Sequence, residues 1–188
     1  NKLPVRDLFG YIKALYFLLR VSDQAENIAN ETLFAVDGEE KDPKVYRILF
    51  VDRANDCRAL VAEAYSRKTF PNSGAFSSAG WDPADSIRPE AIPFFEEHGF
   101  LMEDLHPKPI PDLMSEPKHF NVIIGLDDKA REKIGEIPYK TVFLHWDLGP
   151  CPFGESDPDG MKRLEGIYRE IASRMRDLME ILVGPDAG

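Results

Sequence analysis

The run from Tyr46 to Lys68 constrains this chain most. A short apolar segment, YRILFV, passes through a compact polar turn directly into a stretch of helical period beginning at Arg58. A strand feeding a helix through so short a turn builds a parallel βαβ unit, and the residues downstream repeat the pattern. Ala75 to Ala79 is a second strand candidate, and Ser86 is placed to cap a helix running to Gly99. Phe120 to Gly125 reads as strand, Asp127 to Ile134 as helix and Thr141 to Trp146 as strand. A closing helix carries Leu164, Ile167, Ile171, Met175, Leu178 and Leu182 on one face. The expected class is α/β, a four-stranded parallel sheet with helices on both faces and right-handed crossovers. In such sheets ligands bind beyond the carboxyl ends of the strands, so the turn after Val51 is the first place to look.

Ahead of this unit lies a different pattern. From Val5 to Val36, Leu8, Ile12, Leu15, Leu19, Ala25, Ile28, Ala29 and Leu33 recur at helical spacing with no proline between them. Pro4 suits a first helical turn and Gly38 a stop, which predicts one long α-helix of about nine turns. The segment GEEKDPK, Gly38 to Lys44, is polar and charged and contains Pro43, the composition of a linker. Expected boundaries are therefore 1–38 for a helical segment, 39–45 for a linker and 46–183 for the α/β domain. A single helix cannot bury its own apolar stripe, so a protein partner or self-association through this helix is expected. The chain starts at Asn1 without methionine, and the helix is expected to be the remnant of a larger helical domain.

Charge and cysteine usage narrow the function classes. With 23 basic against 33 acidic residues the net charge is −10, which offers no field for a nucleic-acid backbone or an anionic membrane. The most apolar stretch, Tyr11 to Val21, falls short of the roughly 20 residues a membrane span needs, so no membrane insertion is expected. The two cysteines, Cys57 and Cys151, make no disulfide framework and no zinc spacing, which points to a cytoplasmic location. The four histidines are scattered without metal spacing, and no metal or other cofactor is expected.

The turn reads Asp52-Arg53-Ala54-Asn55-Asp56-Cys57-Arg58-Ala59. Successive backbone N–H groups in a turn of this kind, with the following helix N-terminus, form a nest for an anion. The surrounding segment, ILFVDRANDCRALVAEAYSRK, resembles the low-molecular-weight protein tyrosine phosphatases and the arsenate reductases built on the same fold. Their loop is C-x5-R-[ST], often with an internal N-x-C-R-S, which Asn55, Cys57 and Arg58 match. The resemblance extends through Phe76-Ser77-Ser78-Ala79-Gly80, Arg88-Pro89-Glu90-Ala91 and Glu97-His98-Gly99 to the last helix. It implies an anion site made by Arg53, Ala54, Asn55, Asp56, Cys57 and Arg58, with phosphate or another oxyanion as ligand.

The chain departs from that family at the reacting atom. The family's nucleophilic cysteine, a thiolate whose pKa the loop lowers, is replaced by Asp52, and the usual Ser/Thr after the arginine by Ala59. A carboxylate in a nest shaped for phosphate repels the ligand or occupies the nest itself. Aspartyl-phosphate chemistry at Asp52 would need a metal to neutralise the charge, and no carboxylate pair in the sequence clearly serves one. Cys57 reads as a packed small thiol rather than a substitute nucleophile. The family's general acid, in an Asp-Pro pair after the fourth strand, corresponds to His145-Trp146-Asp147-Leu148-Gly149-Pro150-Cys151-Pro152. Cys151, Asp147 and Asp157 are all candidates for that position, with loss of the acid favoured over its retention. No cysteine lies between Arg58 and Pro150, so the disulfide relay of the arsenate reductases is not expected. Phe76 and Trp81 are read as packing residues rather than a wall for a phenyl ring.

The stretch Leu18 to Ala29 (LLRVSDQAENIA), followed by Glu31, resembles the last helix of PhoU-type phosphate-signalling regulators, which carry an acidic E/D-x-x-x-D metal motif with a nearby Asn. Asp23, Asn27 and Glu31 fall on one helix face, but Leu19 stands where the first acid belongs, so they are read as a solvated stripe and only weak metal candidates. Together these features suggest an oxyanion-binding or regulatory module in phosphate or phospho-signalling, catalytically impaired by Asp52. The alternatives are an active phosphomonoesterase using non-standard groups and an interaction scaffold without a working anion site.

Overall fold

The structure is a computed structural model and describes residues 5–37, 45–110, 120–150, 152–153 and 159–184. The chain divides into two units, Asn1–Pro43 and Lys44–Gly188. In the first, helix α1 spans Val5–Asp37. Leu15, Leu18, Leu19 and Ile28 are all exposed on it. Among the described residues no helix is long and apolar enough to cross a membrane.

The second unit runs β1 (Tyr46–Asp52), α2 (Arg58–Thr69), β2 (Gly74–Gly80), a 3-10 turn (Pro89–Ala91), α3 (Ile92–Glu97), β3 (Val122–Gly125), α4 (Ala130–Ile134), β4 (Val142–His145) and α5 (Gly160–Val183). The four strands form one parallel sheet in the order β2-β1-β3-β4. β1 is apolar throughout its inner part because both faces are covered. Ile48 and Phe50 face a core shared with Leu60, Phe94, Leu164, Ile171 and Met175, while Leu49 and Val51 face Ile123, Ala130 and Ile134. This alternation follows from the period of two along a strand. The stripe expected on α5 is present: Leu164, Ile167, Ile171 and Met175 are buried, and Leu178 and Leu182 pack against the same core.

Two elements differ from expectation. Instead of one helix from Ser86 to Gly99, the chain makes the 3-10 turn and then the six-residue α3. Pro89 and Pro93 account for this, since each fixes φ, lacks an N–H and is accommodated only in a first turn. Helix α4 starts at Ala130 rather than Asp127, because Asp127 to Lys129 form a turn closed by Lys129 N–H on Asp127 Oδ1 at 3.1 Å.

Register places the site. Val51 pairs with Gly125 and Gly125 with His145, so the residues after β1, β3 and β4 emerge side by side at the carboxyl edge. The connections from β1 and β3 leave on opposite faces, which opens a crevice between Asp52–Arg58 and Leu126–Asp128.

Candidate functional site

A cleft of about 760 Å³ opens at this edge, lined by the loop residues Asp52, Arg53, Ala54, Asp56 and Arg58, by Asp82, Ala84 and Arg88, and by Leu126, Asp127, Asp128, His145, Asp147, Gly149 and Pro150. The loop is laced to the segment that follows β2. Arg53 O accepts from Asp82 N–H at 3.0 Å, Ala54 O from Ala84 N–H at 2.9 Å and Asp56 O from Arg88 N–H at 2.9 Å. In a trans peptide the N–H points opposite to the C=O, so turning these carbonyls outward turns the N–H groups of Ala54, Asn55 and Cys57 inward. N–H groups so turned can hold an anion.

Asp52 sits in it. The residue is 3% exposed, its Oδ1 accepts the Asn55 N–H at 2.7 Å, and its Oδ2 accepts the Ala59 N–H at 3.4 Å. The Ala54 N–H has no partner among the described residues. Burial pushes the Asp52 carboxyl above its ordinary value of 3.8, although the Arg58 guanidinium and the Asn55 N–H both favour the ionised form.

Arg58 is buried beside it, with Nε 3.7 Å from Asp52 Oδ2 and Nη2 3.6 Å from Asp127 Oδ2. Its Nη1 donates to the Gly149 carbonyl at 2.5 Å, and Nε has no hydrogen-bond partner. The other arginines of the cleft are committed as well. Arg88 pairs with Asp56 at 2.6 Å, and exposed Arg53 pairs with exposed Asp82 at 3.0 Å. His145 Nε2 lies 3.5 Å from Asp128 Oδ1. Six aspartates thus share the lining with three arginines.

Asn55 shapes the loop from behind. It adopts φ of 50°, a left-handed conformation that Asn tolerates better than most residues. Its Nδ2 donates to Ser78 Oγ at 2.7 Å and its Oδ1 accepts the Lys108 N–H at 2.9 Å. Ser78 O–H donates in turn to Glu63 Oε2 at 2.5 Å. Glu63 is fully buried and also faces Arg67 Nη2 at 2.5 Å and Lys108 Nζ at 3.2 Å. Gly80 lets β2 end against the loop, since a Cβ there would lie 2.6 Å from Arg53 O.

Of the residues singled out from the sequence, Asp52, Arg53, Ala54, Asp56, Arg58 and Asp147 line the cleft. Asn55 is buried behind it, and Cys57 is fully buried in the hydrophobic core. Asp147 is exposed and accepts the Gly149 N–H at 3.1 Å. Cys151 and Asp157 lie outside the described residues. Phe76 and Trp81 are absent from the lining; Phe76 packs in the core and Trp81 against the opposite cluster. Asp23 and Asn27 are exposed on α1, and the Glu31 side chain lies outside the described ones. Among the described residues no group of three or more His, Cys, Asp or Glu is placed to hold a metal ion. Sequence reasoning missed Asp82, Arg88, Asp127, Asp128 and His145. Applying the carboxyl-edge rule to β3 and β4 as well as to β1 would have found the last three.

Comparison with known proteins places the fold. The profile of the low molecular weight phosphotyrosine protein phosphatases matches residues 47–183. A glutaredoxin arsenate reductase from Synechocystis sp. is 25% identical over 137 residues, covering 73% of this chain and 95% of the relative. Among solved structures, a low molecular weight protein tyrosine phosphatase from Streptococcus pyogenes superposes with a TM-score of 0.56 at 17% identity, covering 72% of this chain and 94% of that one. An arsenate reductase in its phosphate binding state gives a TM-score of 0.56 at 22% identity, covering 71% and 96%. The structural likenesses show a shared fold.

Proposed function

We propose, for a chain that belongs to the low molecular weight phosphotyrosine protein phosphatase family, that its α/β domain is an oxyanion-binding or regulatory module rather than a working phosphatase. One observation carries the reading: the carboxylate of Asp52, the residue that the sequence resemblance sets at the family's nucleophile position, accepts the loop N–H groups of Asn55 and Ala59. A thiolate attacks phosphorus through a soft, polarisable sulfur, whereas this carboxylate is fixed as an internal anion in the nest. Arg58 and Asn55, the loop residues that match the family, are held in place by buried contacts, which supports anion binding over a bare scaffold. An arsenate reductase of this fold in its phosphate binding state supports phosphate or a similar oxyanion as the ligand class.

The cleft's charge supports weak binding. Each of its three arginines already faces a carboxylate, so an incoming anion competes with Asp52, Asp56, Asp82 and Asp127 for the same cations. On this reading residues 1–38 are a PhoU-like helical segment, 39–45 a linker and 46–183 the phosphatase-like domain, in a protein of phosphate or phospho-signalling.

The chain is expected to hydrolyse p-nitrophenyl phosphate no faster than its Arg58→Ala variant. Turnover that Arg58→Ala abolishes, with a phosphoryl group trapped on Asp52, would establish the enzyme reading instead.

A further inference from the structure

The guanidinium of Arg58 is set by a backbone carbonyl outside the loop. Its Nη1 donates to Gly149 O at 2.5 Å, the shortest of its contacts, while Nη2 reaches Asp127 only at 3.6 Å and Nε makes no hydrogen bond. A guanidinium is planar and rigid, so fixing Nη1 fixes the Nε–Nη2 edge, the pair of donors that grips an oxyanion side-on. That edge belongs to a residue 5% exposed that lines the cleft.

The sequence after β4 explains why the carbonyl is so placed. Trp146 and Leu148 are both buried in the core, and Trp146 N–H continues the ladder onto Gly125 O at 2.9 Å. Between and after them Asp147 Oδ1 accepts the Gly149 N–H, the hydrogen bond of an Asx turn. Gly149 then adopts φ of 71°, the left-handed region, which sends its carbonyl toward Arg58. Nothing lies within 4 Å of a Cβ built there, so the glycine answers to backbone conformation rather than to space.

We propose that Gly149 is a positioning residue for oxyanion binding, its carbonyl orienting Arg58 so that the Nε–Nη2 edge faces the ligand. The inference rests on the oxyanion-binding reading above and adds a second segment, Trp146 to Pro150, to the determinants of affinity.

The test titrates inorganic phosphate by calorimetry into the full chain carrying Asp52→Ala, alone and with a second change. Gly149→Val, a β-branched residue that resists positive φ, is expected to weaken phosphate binding about tenfold, the scale of one charge-assisted hydrogen bond. Gly149→Asn, which tolerates that conformation, is expected to stay within about threefold of the Asp52→Ala parent. Gly135→Val is the control: Gly135 has φ of 76° with open space around it, and its carbonyl accepts from Arg131 on the exposed surface. It is expected to lower the melting temperature without moving the affinity. Unchanged affinity in Gly149→Val, equal losses in Gly149→Val and Gly149→Asn, or an equal loss in Gly135→Val would each overturn the inference while leaving oxyanion binding intact. If Asp52→Ala alone binds no phosphate, the oxyanion reading falls and this inference with it.

Discussion

Asp52 is held at a cost that pH reveals. Burial raises its carboxyl above 3.8, so the folded chain keeps that proton to a higher pH than the unfolded chain does. In the window above 3.8 the native state therefore binds more protons, and this group's contribution to stability falls as pH rises through it. Asp52→Asn removes the charge and keeps an acceptor for the Asn55 N–H. The variant is expected to melt at a higher temperature than the parent at neutral pH, with the gap closing toward about pH 4. Paired thermal melts across that range check the sign, and a gap that widens toward acid would contradict it. Ser78 is the second residue whose removal is informative, because its hydroxyl joins Asn55 to buried Glu63. Ser78→Ala leaves donor and acceptor unsatisfied together, and chemical denaturation is expected to show a loss of about 1–3 kcal/mol. Neither Glu63 nor its partner Lys108 stands out in the sequence, since Glu63, Ser78 and Lys108 lie at least 15 positions apart along the chain and each alone reads as an ordinary polar residue.

At the scale of elements, what was legible followed from local periodicity. Strands β1 and β3 showed because they are short apolar runs covered on both faces, and α5 showed because its stripe repeats every turn. Helix α3 is shorter than its apolar spacing predicts because two prolines reset the backbone inside the run. In the candidate site, Asn55 and Arg58 were readable from one contiguous motif, whereas Asp127, Asp128 and His145 reach the cleft only through the pairing of β1, β3 and β4. Helix α1 poses a different problem, with Leu15, Leu18 and Leu19 all exposed. An apolar face of this length gains little from its own hydrogen bonds, so the chain is expected to self-associate through α1. Light scattering on the parent and on a Leu15→Glu, Leu19→Glu variant tests this: an oligomer that dissociates in the variant is the expected result, and a monomeric parent contradicts it.

For the molecule as a whole, the family relation and the altered chemistry meet at one place. The chain belongs to the phosphatase family and has its fold, and on the proposed reading the carboxylate of Asp52, which accepts the Asn55 and Ala59 N–H groups, takes the place of the reacting thiol and uses the donors a ligand would. A net charge of −10 and a cleft with six aspartates add no long-range attraction for an anion, so affinity depends on the loop itself. The most direct test is calorimetric titration of inorganic phosphate into the parent chain and into Asp52→Ala at the same pH and ionic strength. If Asp52 occupies a nest that otherwise keeps its geometry, the variant binds phosphate at least about tenfold more tightly than the parent, a difference of about 1.4 kcal/mol. Equal affinity in the two, or no binding by Asp52→Ala, contradicts the account.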